Sequence, residues 1–309
     1  MQHCYGLVNS LKRKKSMVYG YRNTKVGYLC LAPYLLLFFL FTILPVGASL
    51  VLSLTDYDML SAPSFVGVSN YVYLFLEDDV FLIALKNTFT FAFISGPVTY
   101  IMSFVFAWLI CQTGKMRNFF SLAFYAPSIC SGIAMSTIWL YFFSSDSYGF
   151  INSFLMNIGI ISSPIQWTLD TRYVLGVIIF ISIWMGMGTT FLTFIAGFQG
   201  LSEELSEAAK IDGIRNGTQE LIYLILPQMK PQLLFGAINS IVAAFGVFDI
   251  AVAVGGLPSV DYCAHTLVTH LYDFAFTRFE MGYASCVAVV LFIITFSAGK
   301  IVRKILSSD

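Results

Sequence analysis

Six long apolar stretches constrain the fold of this chain more than any other feature of its sequence. Each holds about 20 residues or more, the length that an α-helix needs to cross a lipid bilayer. The composition agrees, because 58% of the residues are apolar and 11% are charged, whereas a soluble domain has about 25% charged residues. We therefore predict an all-α membrane protein with six transmembrane helices. The predicted spans are Val26–Leu54, Leu85–Leu109, Phe119–Phe143, Tyr173–Phe198, Gln232–Val254 and Met281–Ile301.

The first apolar stretch follows a basic segment, Lys12-Arg13-Lys14-Lys15. Such a segment could begin a signal peptide, but the apolar run is too long for one and five more spans follow. An uncleaved first helix is therefore the favoured interpretation. We predict that residues 1–25 form a basic cytoplasmic segment and that residues 26–309 form a single transmembrane domain.

The distribution of Lys and Arg among the loops predicts the orientation, because cytoplasmic segments carry an excess of basic residues. If the N-terminus is cytoplasmic, the outer segments hold three of the 17 basic residues, namely Lys86, Arg172 and Arg278. The inner segments hold the others, which are Lys12, Arg13, Lys14, Lys15, Arg22, Lys25, Lys115, Arg117, Lys210, Arg215, Lys230, Lys300, Arg303 and Lys304. We therefore predict that both termini and the loop 199–231 are cytoplasmic.

The sequence gives no sign of a metal or cofactor site. The six cysteines are scattered without a Cys-x-x-Cys pair, and His265 and His270 are isolated from other ligand types. No basic face remains for nucleic acid once the membrane topology is assigned. We predict no metal, no cofactor and no nucleic-acid partner.

The loop 199–231 begins with the signals of a short helix. Ser202 is a good N-cap, and Glu203-Glu204 places negative charge in the first turn, where the helix dipole favours it. Gly213 can adopt a positive φ and end the helix. Small residues at Ala208-Ala209 would let this helix approach a partner closely.

Further along the same loop, Thr218 can cap a second short helix, which Pro227 ends or kinks before the fifth span. The loop is therefore predicted to form a helix–turn–helix outside the membrane. The residues alone leave two interpretations open. The pair of helices could dock into a groove on a partner, or it could be an ordinary amphipathic segment resting on lipid headgroups.

This loop resembles the Glu-Ala-Ala signature of binding-protein-dependent ABC permeases. In that signature Glu-Ala-Ala is followed by Asp-Gly and then by Leu-Pro. Ile214 stands where Ala is usual, and the segment is one residue longer than the commonest spacing. The matching residues are Glu207, Ala208, Ala209, Asp212, Gly213, Leu226 and Pro227.

Further matches extend from about residue 28 to residue 300, in the order found in the carbohydrate permeases of this family, which include the maltose and glycerol-phosphate systems. They are Asn87-Thr88, Pro127-Ser128, Trp139, Gly149-Phe150-Ile151-Asn152, the run Ala196 to Leu201, Gly255-Gly256-Leu257-Pro258 and the run Phe279 to Ser285. The resemblance implies a type I importer fold in a bacterial cytoplasmic membrane, and a sugar or oligosaccharide as cargo.

The same resemblance implies the partners of the chain. They are a second, homologous permease, two copies of an ATPase and an extracytoplasmic solute-binding protein. It also implies that Glu207, Ala208, Ala209, Asp212, Gly213 and Pro227 couple the chain to the ATPase. The chain itself lacks a Gly-x-x-x-x-Gly-Lys-[Ser/Thr] loop, because Gly114-Lys115 and Gly299-Lys300 have no upstream glycine. It is therefore predicted not to be an enzyme.

Three alternatives stay open from the sequence. A permease of the same family could carry another class of solute. An ion-coupled secondary transporter would need paired ionisable groups in mid-membrane, and the predicted spans offer little beyond Lys86, Asp249 and Lys300. A membrane scaffold without transport activity would give no reason for the capped helix pair.

Two polar residues of the fifth predicted span, Asn239 and Asp249, are candidates for the substrate pathway. They lie ten residues apart, on a similar face of a continuous helix, and both would be costly facing lipid. Asn and Asp supply the donors and acceptors that sugar hydroxyls need. The alternative is hydrogen bonding between helices without substrate contact.

Three glycines, Gly186, Gly188 and Gly236, provide small surfaces where helices could approach closely. One interpretation is contact with a homologous permease, more plausibly in a heterodimer than in a homodimer. The other is packing within this chain.

Overall fold

A computed structural model describes residues 24–307. The predicted basic segment 1–25 thus lies outside the described residues, except for its last two. The chain divides into two units, with the boundary after Val51. The first unit contains helix α1 (Thr24–Phe38), a π-helical turn (Phe39–Ile43) and the helix α2 (Leu44–Leu52), which ends at the boundary.

The second unit is almost entirely helical. Its first helices are α3 (Ser69–Leu76), α4 (Asp79–Cys111), α5 (Arg117–Ile129), α6 (Gly132–Phe142), α7 (Phe150–Asn157), α8 (Val174–Met185) and α9 (Thr189–Gln199). They are followed by α10 (Glu203–Ile211), α11 (Gly217–Glu220), α12 (Leu226–Gln228), α13 (Lys230–Phe245), α14 (Asp249–Gly255), α15 (Leu267–Tyr272) and α16 (Met281–Ser307). One small antiparallel ribbon pairs β1 (Thr55–Asp56) with β2 (Ser64–Phe65). The predicted all-α class is confirmed.

Among the described residues, five segments are long and apolar enough to cross a membrane, and a bent pair of helices brings the number to six if it forms one span. The five are Gly27–Leu52, Asp79–Cys111, Val174–Gln199, Lys230–Gly255 and Met281–Leu306. The third predicted span, Phe119–Phe143, was expected to be one helix, and this is wrong. Here α5 and α6 are bent by 98°, because Cys130 and Ser131 have extended backbone, with ψ of 148° and 134°.

Helix α4 lies at the centre of the second unit and packs against α8, α9 and α13. Apolar clusters follow it along its length, around Phe81 near its start, Phe91 further on and Ala107 towards its end. These clusters bury apolar side chains between helices, so a single long helix organises the whole unit.

The glycines predicted to allow close helix contacts pack within this chain. A Cβ at Gly186 would lie 2.6 Å from Cγ2 of Thr99, and one at Gly236 would lie 2.8 Å from Cζ of Phe194. A Cβ at Gly188 would lie 3.2 Å from Cβ of Ser128. These residues therefore account for packing inside the unit and give no information about a second subunit.

Asn87 and Thr88 anchor the loop 256–280 to α4. The Nδ2 of Asn87 donates hydrogen bonds to the carbonyl oxygens of Tyr262 and His265, at 2.9 and 3.0 Å. The Oγ1 of Thr88 accepts a hydrogen bond of 2.8 Å from the backbone N–H of Leu267. The pair noted in the sequence therefore has a structural role, because it satisfies buried backbone groups of a distant loop.

Asn152 organises the loop between α6 and α8. Its side chain is fully buried, and its Nδ2 donates to three backbone carbonyl oxygens, those of Ser144, Asp146 and Ile165. Its Oδ1 accepts from the backbone N–H of Ile165 and from the indole N–H of Trp167. One side chain thus holds together a segment of about 20 residues with little regular structure beyond α7.

A buried group of ionisable side chains joins the start of α4 to α15 and α16. The Oδ2 of Asp78 accepts a hydrogen bond from the hydroxyl of Tyr283 and lies 3.1 Å from Nε2 of His270. Neither ring nitrogen of His270 has a hydrogen bond of standard geometry among the described residues. His265 is buried nearby, with its ring 5.5 Å from that of His270 and without a hydrogen-bond partner among the described residues.

Asp78 and His265, which lie outside the membrane-spanning segments, have shifted pKa values. Burial raises the pKa of Asp78, but the neighbouring His270, the Tyr283 hydroxyl and the Phe81 N–H together outweigh it and lower the pKa to about 2. Burial lowers the pKa of His265 to about 4, and His270 acts in the same direction, while the carboxylates of Asp273 and Asp78 oppose it more weakly. Both folded-state values lie below those of the unfolded chain, near 3.9 for Asp and 6.5 for His.

The free energy of unfolding is therefore expected to fall on acidification. Below about pH 6.5 the unfolded chain protonates His265 while the folded protein does not, so stability is lost progressively down to about pH 4. The contribution of Asp78 is present above about pH 3.9 and is lost as the pH falls towards 2. Thermal unfolding of the purified protein between pH 7.5 and 5 should show a falling midpoint, with a smaller slope in His265→Leu. An equal slope in both proteins would contradict this assignment.

Candidate functional sites

A cavity of about 360 Å³ lies where three of the spans are interrupted. Its lining includes Gly132 at the break between α5 and α6, Gly188 at the break between α8 and α9, and Phe248 at the break between α13 and α14. Interrupted helices are typical of substrate sites in membrane proteins, because non-helical backbone at that depth must line a cavity or be buried in protein.

The cavity is rich in hydrogen-bonding groups that the protein itself leaves unused. Its polar lining residues are Ser95, Thr99, Ser182, Thr189, Thr190, Asn239, Ser240 and Asp249. The hydroxyl oxygens of Ser95, Ser182 and Ser240 are buried and have no hydrogen-bond partner among the described residues. A buried hydroxyl without a partner is costly, and these three hydroxyls are enclosed by protein beside the cavity. The polar groups that a ligand could meet are therefore those of the other lining residues, Asn239 and Asp249 among them.

Both pathway candidates, Asn239 and Asp249, line this cavity. The prediction that they share one continuous helix is wrong, because the helix ends at Phe245 and a new one begins at Asp249. No hydrogen bond joins either side chain to another residue within 24–307. The alternative role, hydrogen bonding between helices, is therefore not what this structure contains.

Sequence reasoning did not identify the three serines of the lining. Ser95 and Ser182 lie in apolar runs where a hydroxyl carries no positional signal, and Ser240 follows Asn239 directly. Only the packing of α4, α8 and α13 brings the three together around one space. Knowledge of the helix breaks would have been needed to find them.

The second site is the helix pair of the loop 199–231. Helix α10 begins directly after Ser202 and ends before Gly213, whose φ is +103°. The backbone N–H of Ile214 donates to the carbonyl of Ala209 at 3.0 Å, which is the longer hydrogen bond of a Schellman motif. The predicted role of Gly213 in ending this helix is confirmed.

The second helix of the loop begins two residues earlier than predicted. Helix α11 starts at Gly217 with Asn216 before it, so Thr218 lies inside the helix and does not cap it. Pro227 lies in α12, which continues α11 through a π-helical segment, Leu221–Ile225, and ends at Gln228. The hydroxyl of Ser206 donates to Oε1 of Glu220, so the two helices are tied together.

The loop presents both charged and apolar side chains to its surroundings. Glu207, Ala208 and Asp212 are exposed. Ile211 is 87% exposed and Tyr223 is 72% exposed, and the sequence analysis had not selected either. Large apolar side chains exposed beside charged ones are typical of a surface that a partner protein or the membrane surface covers.

Known proteins resemble this chain over nearly its whole length, although no family model matches it. The probable ABC transporter permease protein YesP of Bacillus subtilis (strain 168) is 31% identical over 290 residues, which are 93% of this chain and 91% of that protein. This chain belongs to the ABC transporter permease family. The permease is a multi-pass membrane protein, and its relatives are transport proteins and not enzymes.

Other relatives are named for sugars. The lactose transport system permease protein LacF of Rhizobium radiobacter is 32% identical over 271 residues, covering 86% of this chain and 88% of that protein. The arabinooligosaccharides transport system permease protein AraP of Bacillus subtilis (strain 168) is 29% identical over 292 residues, which are 93% of this chain and 90% of that protein. The predicted resemblance to carbohydrate permeases is confirmed.

A solved structure has the same fold as the permease. It is that of a bacterial alginate ABC transporter in complex with an alginate pentasaccharide-bound periplasmic protein, and one of its chains matches with a TM-score of 0.76. The match covers 92% of this chain and 96% of that chain, at 21% identity. It establishes the fold of the permease.

Proposed function

We propose that this permease forms one half of the membrane pathway of a sugar importer in a bacterial cytoplasmic membrane. An extracytoplasmic binding protein delivers a sugar or oligosaccharide, and ATP hydrolysis on separate subunits drives its passage. Relatives named for lactose and arabino-oligosaccharides support the class of cargo. The periplasmic protein in the solved alginate complex supports the delivery step. The excess of basic residues on one side supports cytoplasmic termini.

The observation that carries this proposal is the cavity at the helix breaks. Its volume of about 360 Å³ lies within the usual range for small-molecule sites. Asn239 and Asp249 line it and form no hydrogen bond with another described residue, so their side chains can pair with the hydroxyls of a sugar. In this function Asn239 lines the path and Asp249 borders it at the start of α14.

The loop 199–231 would couple the permease to its ATPase. The contact surface consists of the exposed residues Glu207, Ala208 and Asp212 and the apolar Ile211. Gly213 sets the direction in which the chain leaves α10. The hydrogen bond between Ser206 and Glu220 makes the two short helices move together. Closure of the ATPase could therefore be transmitted through Pro227 and α12 to α13, which lines the cavity.

A second, homologous permease would complete the pathway. This chain carries a single coupling loop, while an ATPase dimer offers two equivalent docking grooves. Closed oligomers of similar subunits place their equivalent surfaces around a two-fold axis. A heterodimer with a related permease fits this arrangement, and the second subunit would supply the other coupling loop.

Replacing Asn239 with leucine is expected to lower sugar uptake about tenfold, because the path loses a donor and an acceptor. Assembly with the ATPase should persist, since Asn239 forms no hydrogen bond with another described residue. Uptake and subunit copurification should be measured in the same membranes. Thr137→Val is the matched control, because Thr137 is exposed on α6 and lies outside the cavity lining. Loss of assembly in Asn239→Leu would favour a structural role instead.

A further inference from the structure

The cavity carries formal charge of one sign only. Among the described residues that line it, Asp249 is the single one with a charged side chain, and none is Lys, Arg or His. Within the described residues Asp249 forms no ion pair. Every other polar group of the described lining is a hydroxyl or an amide. The lining therefore offers no positive charge to offset the negative charge of an acidic sugar.

The position of the Asp249 carboxylate also bears on how the cavity treats anions. A Cβ placed on Gly132 would lie 3.2 Å from Oδ2 of Asp249, so the carboxylate rests against the first residue of α6. The N-terminus of an 11-residue helix is a natural place for an anion, because its free N–H groups and its dipole attract negative charge. The carboxylate of Asp249 lies beside this first turn and forms no hydrogen bond with it.

We infer that Asp249 makes the cavity selective for neutral saccharides and against acidic ones. A uronate or phosphorylated sugar entering the cavity would meet a carboxylate without a cation to offset the repulsion. A neutral sugar can pair with the amide of Asn239 and donate a hydrogen bond to Asp249 itself. This inference rests on the proposed function of the cavity as the sugar pathway, and it assigns Asp249 a role in specificity.

The test is direct binding of matched sugars to the purified complex of this permease with its partner permease and ATPase in nanodiscs. The binding protein is left out, so that its own preference does not enter. The probes are disaccharides of glucose, galactose and mannose and the uronate counterpart of each, which differ at C6. We expect the unmodified complex to bind a neutral sugar at least about tenfold more tightly than its uronate.

Asp249→Asn is expected to bring the ratio of the affinities for a neutral sugar and its uronate close to one. Asp249→Glu is expected to leave this ratio unchanged. Glu77→Gln is the matched control, since Glu77 is an exposed carboxylate outside the cavity, and it should keep the ratio. Equal binding of neutral and acidic sugars by the unmodified complex would overturn the inference while leaving the pathway intact. An unaltered affinity ratio in an assembled Asp249→Asn complex would also overturn the inference and leave the pathway intact. Absence of binding for every sugar would instead overturn the proposed function together with the inference.

Discussion

Gly213→Val is expected to abolish transport while leaving the permease inserted in the membrane. Gly213 has a φ of +103°, a backbone conformation that a β-branched residue resists. A Cβ at this position would meet nothing within 4 Å, so the cost is conformational and not steric. The end of α10 would have to change direction, which would move Ile211 and Asp212 away from the ATPase. Uptake into proteoliposomes should fall at least about tenfold, and the ATP hydrolysis that remains should no longer respond to the binding protein.

The matched control lies four residues further along the same loop. Gly217 also has open space around the position of a Cβ, and its φ is not in the left-handed region. Gly217→Ala should therefore transport at nearly the unmodified rate. Glu207→Lys provides a second probe, because it reverses an exposed charge on the proposed docking surface. Normal coupled transport by both Gly213→Val and Glu207→Lys would rule out the coupling role of this loop.

The membrane-spanning segments could be predicted because length and hydropathy decide them. The sixth span was predicted as Met281–Ile301, and the helix begins at Met281 as expected but continues to Ser307. Lys300, Arg303 and Lys304 account for the difference. Basic residues end an apolar run, but their long side chains can reach the headgroups while the helix itself continues.

The helix breaks could not be predicted in the same way. The break after Phe245 falls at Gly246-Val247-Phe248, and two of those three residues are apolar. A hydropathy scale counts them as part of the span, because it uses only the residue type and contains no information about backbone direction. The sequence around the sharp bend at Cys130-Ser131 gives no stronger signal of a break. The nearest proline, Pro127, lies inside α5 and does not end that helix. The cavity depends on these breaks, so its shape followed only from the packed structure.

The two sites therefore differ in how far local sequence determines them. The loop 199–231 is local, because the start of its helix after Ser202 and its end before Gly213 can be predicted from neighbouring residues. The cavity is assembled from helices distant in the chain. Asn239 and Asp249 could be selected because polar residues in an apolar span are unusual, whereas the hydroxyls around them gave no such signal.

Gly282→Ala is expected to destabilise the permease by about 2–3 kcal/mol, as overpacking of a tightly packed site does. A Cβ on Gly282 would lie 2.1 Å from the carbonyl oxygen of Thr55 and 3.1 Å from the backbone nitrogen of Tyr57. Both neighbours are backbone atoms, so no side chain can rotate away. The hydrogen bond from Gly282 N–H to the carbonyl of Tyr57, 3.1 Å long, would be strained or lost. The thermal unfolding midpoint and the amount of protein in the membrane should both fall.

The same substitution at Gly299 is the control, because it lies in the same helix and a Cβ there would meet nothing within 4 Å. Alanine is favoured over glycine inside a helix by about 1 kcal/mol, so Gly299→Ala should be neutral or slightly stabilising. One chemical change in one helix is thus expected to have opposite effects at its two ends. The difference arises because the first turn of α16 packs directly on the backbone of β1 and the residue after it. Equal unfolding midpoints for the two variants would mean that this contact does not form in the membrane.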